Sequence, residues 1–118
     1  KVDYKEIWNI INRYKGNKML FLIVNSSIRH VVCKDLESAK RLINISKESG
    51  FKYSSIFSFS EKIIVEIRST EKMDIPVFKN GKVYPNEEYI MMIIDVANQL
   101  IERIKKKIEK LNENLREI

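Results

Sequence analysis

Apolar positions recur along this chain with two different periods, and each change of period marks a new element. Near the start, Ile7, Trp8, Ile11 and Tyr14 share one stripe at helical spacing, with Asp3 and Glu6 placed as a capping box and Gly16 as the stop. "KMLFLIV" (18–24) is instead a continuous apolar run of the kind that forms a strand covered on both faces. "SIRHVVC" follows after a polar turn at Asn25 to Ser27, so the two runs are expected to pair as a hairpin. Asp35 stands at an N-cap position, Leu36, Ala39, Leu42 and Ile43 repeat with helical period, and Gly50 supplies the left-handed residue that ends helices.

The second half alternates more strictly. "YSSIFSFS" and "KIIVEIRS" flank a polar turn at Ser60, Glu61 and Lys62 and read as a hairpin, and Asn80-Gly81 marks another between "DIPVF" and "KVY". From Pro85 and Asn86 onward nothing breaks a helix, and Ile104, Ile108, Leu111, Leu115 and Ile118 form a seam that needs a partner surface. Packing within the chain would satisfy that seam as well as self-association, and a monomer is expected. The order αββαββββα describes one α+β domain over 1–118 with antiparallel hairpins, a long C-terminal helix and no Rossmann topology.

Length and composition agree with a folded domain: 118 residues, 44% hydrophobic and 32% charged. The longest apolar runs, "MLFLIV" and "YIMMII", are far shorter than the roughly 20 residues a spanning helix needs, so no membrane role is expected. A lone cysteine and the absence of a leader pattern point to a reducing cytoplasm. A first residue of Lys1 suggests that the sequence begins inside a longer chain. The net charge of +6 leans toward a polyanionic partner. "RIKKKIEK" offers Lys105, Lys106, Lys107 and Lys110, but glutamates interleave with them and the wet face of a helix explains the run.

Candidate chemistry is sparse. Glycines at 16, 50 and 81 stand apart, so no phosphate-cradling loop exists, and one histidine with one cysteine cannot supply the four ligands of a structural zinc site. His30 and Cys33 are three apart on one strand and point to opposite faces, which excludes a nucleophile and base pair and leaves Cys33 as core. For His30 the pattern leaves both a packed and a functional role open. Arg68 and Glu71, at the end of an alternating strand, are either a surface ion pair or a grip for a carboxylate or phosphate.

Taken in order, "IRHVVCKDLESAKRL", "SGFKYSSI", "IIVEIRSTEKMDIPV", "NGKVYPNEEYI" and "DVANQLIERIKKKIEKL" resemble the archaeal branch of the tRNA wybutosine-synthesising protein 3 family, from about Asp3 to Leu111. The resemblance implies a compact α+β fold and S-adenosylmethionine-dependent methylation of ring nitrogen N4 of a 4-demethylwyosine-type base beside the anticodon of tRNA-Phe. His30 matches the histidine of the family's Leu-His-Val block, with Arg29 in place of the leucine. Gly50, Phe51 and Ser55 match its Gly-Phe and following serine; Arg68, Ser69 and Glu71 its Ile-Arg-Ser-Thr block; Tyr89 and Asn98 the tyrosine and Ala-Asn of its last helix.

By that resemblance His30 is the catalytic candidate, orienting or deprotonating the ring nitrogen. Arg68, Ser69 and Glu71 are the S-adenosylmethionine candidates, with Arg68 gripping a carboxylate or phosphate and Glu71 receiving the ribose or amino group. Phe51, Ser55, Tyr89 and Asn98 are the substrate candidates, and Phe51, Tyr53 and Phe57 the aromatics able to stack an extruded base. No metal is expected. The family's Ser-Ser-Cys-Ser-Gly-Arg stretch is absent from this sequence, which fits a chain truncated at its N-terminus. The alternative is a non-catalytic RNA-binding or assembly module, favoured by the charge and the final helix.

Overall fold

The computed structural model describes residues 1–26 and 28–117. The elements run α1 (Tyr4–Arg13), β1 (Leu20–Asn25), β2 (Arg29–Cys33), α2 (Leu36–Glu48), β3 (Ser55–Phe59), β4 (Ile63–Ile67), β5 (Lys72–Lys79), β6 (Lys82–Val83) and α3 (Glu87–Arg116). The expected α+β order is therefore the observed one. The strands form two antiparallel sheets, β1-β5-β6 and β2-β4-β3, and the chain divides into two compact units, each built on one of them.

The first unit comprises residues 1–25 and 72–102. Asp3 caps α1 by accepting from the Lys5 backbone N–H at 3.0 Å, and Ile11, Ile90, Ile93 and Ile94 close a core with Val77 of β5. Asn86 caps α3, its side chain accepting from the Tyr89 N–H at 2.8 Å. Asn80 and Gly81 both take positive φ, 52° and 76°, as a tight hairpin turn between β5 and β6 requires.

Two expectations about β1 are corrected here. It pairs with β5 from Leu20↔Phe78 to Asn25↔Lys72, with a register shift between Leu20 and Phe21, whereas β2 pairs with β4, so the two do not form a hairpin. Nor is it covered on both faces. Leu20, Leu22 and Val24 turn inward, while Phe21 and Ile23 are 47% and 54% exposed. Apolar content on both faces of a strand shows what each face tolerates, not which is covered in this unit.

The second unit comprises residues 26–71 and 103–118. Asp35 caps α2 by accepting from the Ser38 N–H at 2.8 Å, and Gly50 ends it at φ 108°. Ala39 of α2, Phe51, Val65 and Ile67 of β4, and Leu111 of α3 form its core. Ile108 and Leu115 pack against that core, so the seam finds its partner within the chain; Ile118 lies outside the described residues. Alternation on β4 sends Ile63, Val65 and Ile67 inward and leaves Ile64 and Glu66 on the opposite face of the sheet.

Candidate functional site

That opposite face gathers the chemistry. β4 is the central strand, and Glu66 is paired with His30 on one side and Ser55 on the other, so the three stand in one cross-strand row. Directly opposed residues point to the same side of a sheet, which brings their side chains together. His30 Nε2 lies 3.0 Å from Glu66 Oε2, and Arg68, just past the end of β4, donates from Nη1 to Glu66 Oε1 at 3.3 Å. The Glu66 side chain is 14% exposed, against 44% for His30 and 50% for Arg68. The hydrogen bond from His30, with that from Arg68 and its charge, holds the Glu66 carboxyl below its ordinary range.

A β-bulge completes the cluster. Between Ile56 and Ser58 the register of β3 on β4 shifts, leaving Phe57 as the extra residue. Its ring lies 4.2 Å from the His30 imidazole, centroid to centroid, at an interplanar angle of 31°. Phe57 is 58% exposed, and Val32 on the same face of β2 as His30 is 62% exposed. The result is an open platform of imidazole, guanidinium, carboxylate and aromatic ring.

The other candidates are placed differently. Phe51 is 3% exposed and belongs to the core, whereas the Phe57 and Tyr53 rings are exposed. Glu71 is 6% exposed, and its Oε1 is paired with the Lys107 ammonium of α3. Burial alone would raise its carboxyl, but the hydrogen bond and charge of Lys107, helped by Arg103, hold it below its ordinary range. This carboxylate is therefore an interior one, ion-paired within the fold, unlike the exposed groups around Glu66. Ser69 Oγ donates to Ser26 Oγ at 2.8 Å, beside the Ser26 N–H bond to Glu71 O at 3.0 Å.

Tyr89 and Asn98 belong to the first unit. Asn98 is occupied by the backbone of Val2, accepting from its N–H and donating to its carbonyl, both at 2.9 Å, and so braces the start of the chain. Tyr89 is 45% exposed and lines an open depression of about 500 Å³ with Ile75, Pro76, Tyr84, Pro85 and Asn86. The Lys82 ammonium lies 5.0 Å from the Tyr84 ring centroid. Among the described residues no three His, Cys, Asp or Glu side chains converge as a metal site would require, and no helix is long and apolar enough to cross a membrane.

Sequence reasoning did not assign Glu66 any part in this cluster. Its signal was present but weak, a lone acidic residue on an otherwise apolar alternating strand, and only the pairing of β4 with β2 joins it to His30.

Comparison with known proteins adds a separate line of observation. Residues 3–117 match the family described as Methyltransferase TYW3. A protein of Thermococcus sibiricus named tRNA(Phe) 7-((3-amino-3-carboxypropyl)-4-demethylwyosine(37)-N(4))-methyltransferase is 41% identical over 119 residues, covering 100% of this chain and 60% of its own length. A Pyrococcus furiosus protein of the same name, numbered 1, is 42% identical, covering 98% of this chain and 59% of its own. Among solved structures, the PH1069 protein from Pyrococcus horikoshii superposes with a TM-score of 0.92 at 40% identity, over 98% of this chain and 59% of that one. The chain thus spans about 60% of the length of the relatives it matches.

Proposed function

Because this chain belongs to the TYW3 methyltransferase family, we propose that the protein containing it is an S-adenosylmethionine-dependent tRNA methyltransferase. Its substrate is the 4-demethylwyosine-type tricyclic base beside the anticodon of tRNA-Phe, and the methyl acceptor is ring nitrogen N4. The observation that carries this reading is 41% identity across the whole chain to a relative bearing that name.

The residues present fit the cofactor in part. Arg68 has a half-exposed guanidinium suited to the amino-acid carboxylate of S-adenosylmethionine. Glu71, buried against Lys107, does not suit a ribose hydroxyl. Bound S-adenosylmethionine would supply a methyl group already activated on a sulfonium sulfur, so positioning carries much of the rate.

The protein's own task is to present the acceptor nitrogen and receive its proton. Phe57 offers a face on which an extruded base stacks, and Ser55 stands in the same row as Glu66 and His30 with a hydroxyl able to bond a base edge. Glu66, its carboxyl held below the ordinary range, is an acceptor, so His30 donates Nε2–H to it, and the tautomer protonated at Nε2 carries its lone pair on Nδ1. That lone pair takes the ring N–H proton as the nitrogen gains its methyl group. Cytoplasmic action on tRNA accords with the net charge of +6.

Calorimetry tests the cofactor half of this reading. The complete protein should bind S-adenosylmethionine, and Arg68→Ala should weaken it roughly tenfold or more, the value of a lost charge-assisted bond. An unchanged affinity removes Arg68 from the cofactor site. Binding of tRNA without any methyl transfer would instead indicate a non-catalytic RNA-binding module.

A further inference from the structure

Glu66 touches both residues assigned above to catalysis and cofactor binding, one with each carboxylate oxygen. We infer that Glu66 is the positioning residue of this site, fixing the plane of the His30 imidazole through Oε2 and the direction of the Arg68 guanidinium through Oε1. The inference rests on the reading that His30 and Arg68 act in methyl transfer.

Three features separate this arrangement from an ordinary surface ion pair, which contributes little and holds nothing in place. First, Glu66 is the fixed point of the three, with a side chain 14% exposed between neighbours that are 44% and 50% exposed. It stands on the central strand β4, paired through backbone on both sides, while Arg68 lies beyond the end of the strand. Second, both oxygens are engaged at once, at 3.0 and 3.3 Å, which leaves the carboxylate plane one orientation. Third, the imidazole is gripped twice, by Glu66 at Nε2 and by the Phe57 ring 4.2 Å away. An edge contact and a face contact together define the position of a planar ring, and a side chain so exposed would otherwise rotate freely.

Two consequences follow. With Nε2–H committed to Glu66, Nδ1 is the ring's acceptor atom, so Glu66 selects the tautomer as well as the orientation. By sharing one carboxylate, the proton-accepting and cofactor-gripping groups are held at a set separation, so loss of Glu66 disturbs both together.

The His30 ring protons are read by NMR in the full-length protein and assigned by their absence from the spectrum of its His30→Ala variant. Stacking on Phe57 should displace them upfield. Methyl transfer to tRNA would be measured for the full-length protein and its Glu66→Ala, Glu66→Gln, His30→Ala and Glu66→Ala/His30→Ala variants. Glu66→Ala is expected to lower kcat by on the order of tenfold or more, to return the ring signals toward free histidine positions, and to add little to the loss already caused by His30→Ala. Glu66→Gln, whose amide oxygen still accepts from Nε2–H, should restore the ring signals and part of the rate.

If His30→Ala lowers kcat while Glu66→Ala leaves both kcat and ring signals unchanged, Glu66 is a surface ion pair and the inference is wrong, with the role of His30 intact. If His30→Ala leaves kcat unchanged, the reading of the site itself fails, whatever the NMR shows of Glu66.

Discussion

Gly50 illustrates what a single residue contributes here. It ends α2 at φ 108°, where a side chain strains the backbone, and a Cβ added to it would lie 2.9 Å from Lys107 Cγ and 3.0 Å from Lys107 Cδ. Gly50→Ala is therefore expected to destabilise the protein by about 1–2 kcal/mol from backbone strain alone, read as a lower urea midpoint at unchanged slope. The stop was legible in the sequence, because glycine after an apolar-periodic run has a specific physical meaning. The reason no side chain fits was not, since Lys107 sits in a run of lysines that reads as a solvated face. Lys105, Lys106 and Lys110 are indeed exposed; Lys107 alone of the four turns its stem over Gly50 and its ammonium to Glu71. The burial of Glu71 was hidden for the matching reason, a polar Arg-Ser-Thr-Glu stretch giving no cue of it.

Among the elements, apolar patterns together with turn and cap residues located the helices and strands, because these are local properties of the sequence. Partner choice was not local. β1 and β2 are neighbours in sequence, yet each is completed by a later strand, β5 or β4. The bulge that aims Phe57 at His30 was equally hidden, since one unpaired residue leaves the alternation of β3 looking intact. The ion pair of Glu71 with Lys107 fastens the segment after β4 to α3. Lys107→Ala strands a buried carboxylate and should cost about 3 kcal/mol at neutral pH. The folded Glu71 carboxyl lies below its ordinary value of 4.5, so its contribution is present above that pH and is lost as the pH falls through the depressed value. In the variant the deficit should narrow on acidification, because protonation neutralises the stranded group. Urea midpoints of both proteins from pH 7 to pH 4 check the magnitude and the sign.

For the molecule as a whole, composition allowed only a basic, folded chain and the order of elements an α+β one; no isolated motif names the chemistry, which entered through blocks of resemblance along most of the length. The structure then sorted the resembling residues. His30, Ser55 and Arg68 meet on one exposed sheet face, Phe51 and Glu71 are interior, and Asn98 holds the start of the chain. Resemblance marks such positions alike, whether they matter for packing or for chemistry, and burial is what tells them apart. The central claim is that the face carrying His30 performs methyl transfer. It is tested most directly by following labelled methyl from S-adenosylmethionine into tRNA-Phe bearing the 4-demethylwyosine-type base, with the complete protein and its His30→Ala variant. The expected result is methylation by the first and a loss of roughly a hundredfold in the second, within the range for a proton-accepting group, with tRNA affinity preserved. Equal rates from the two proteins would contradict the claim and move the chemistry elsewhere.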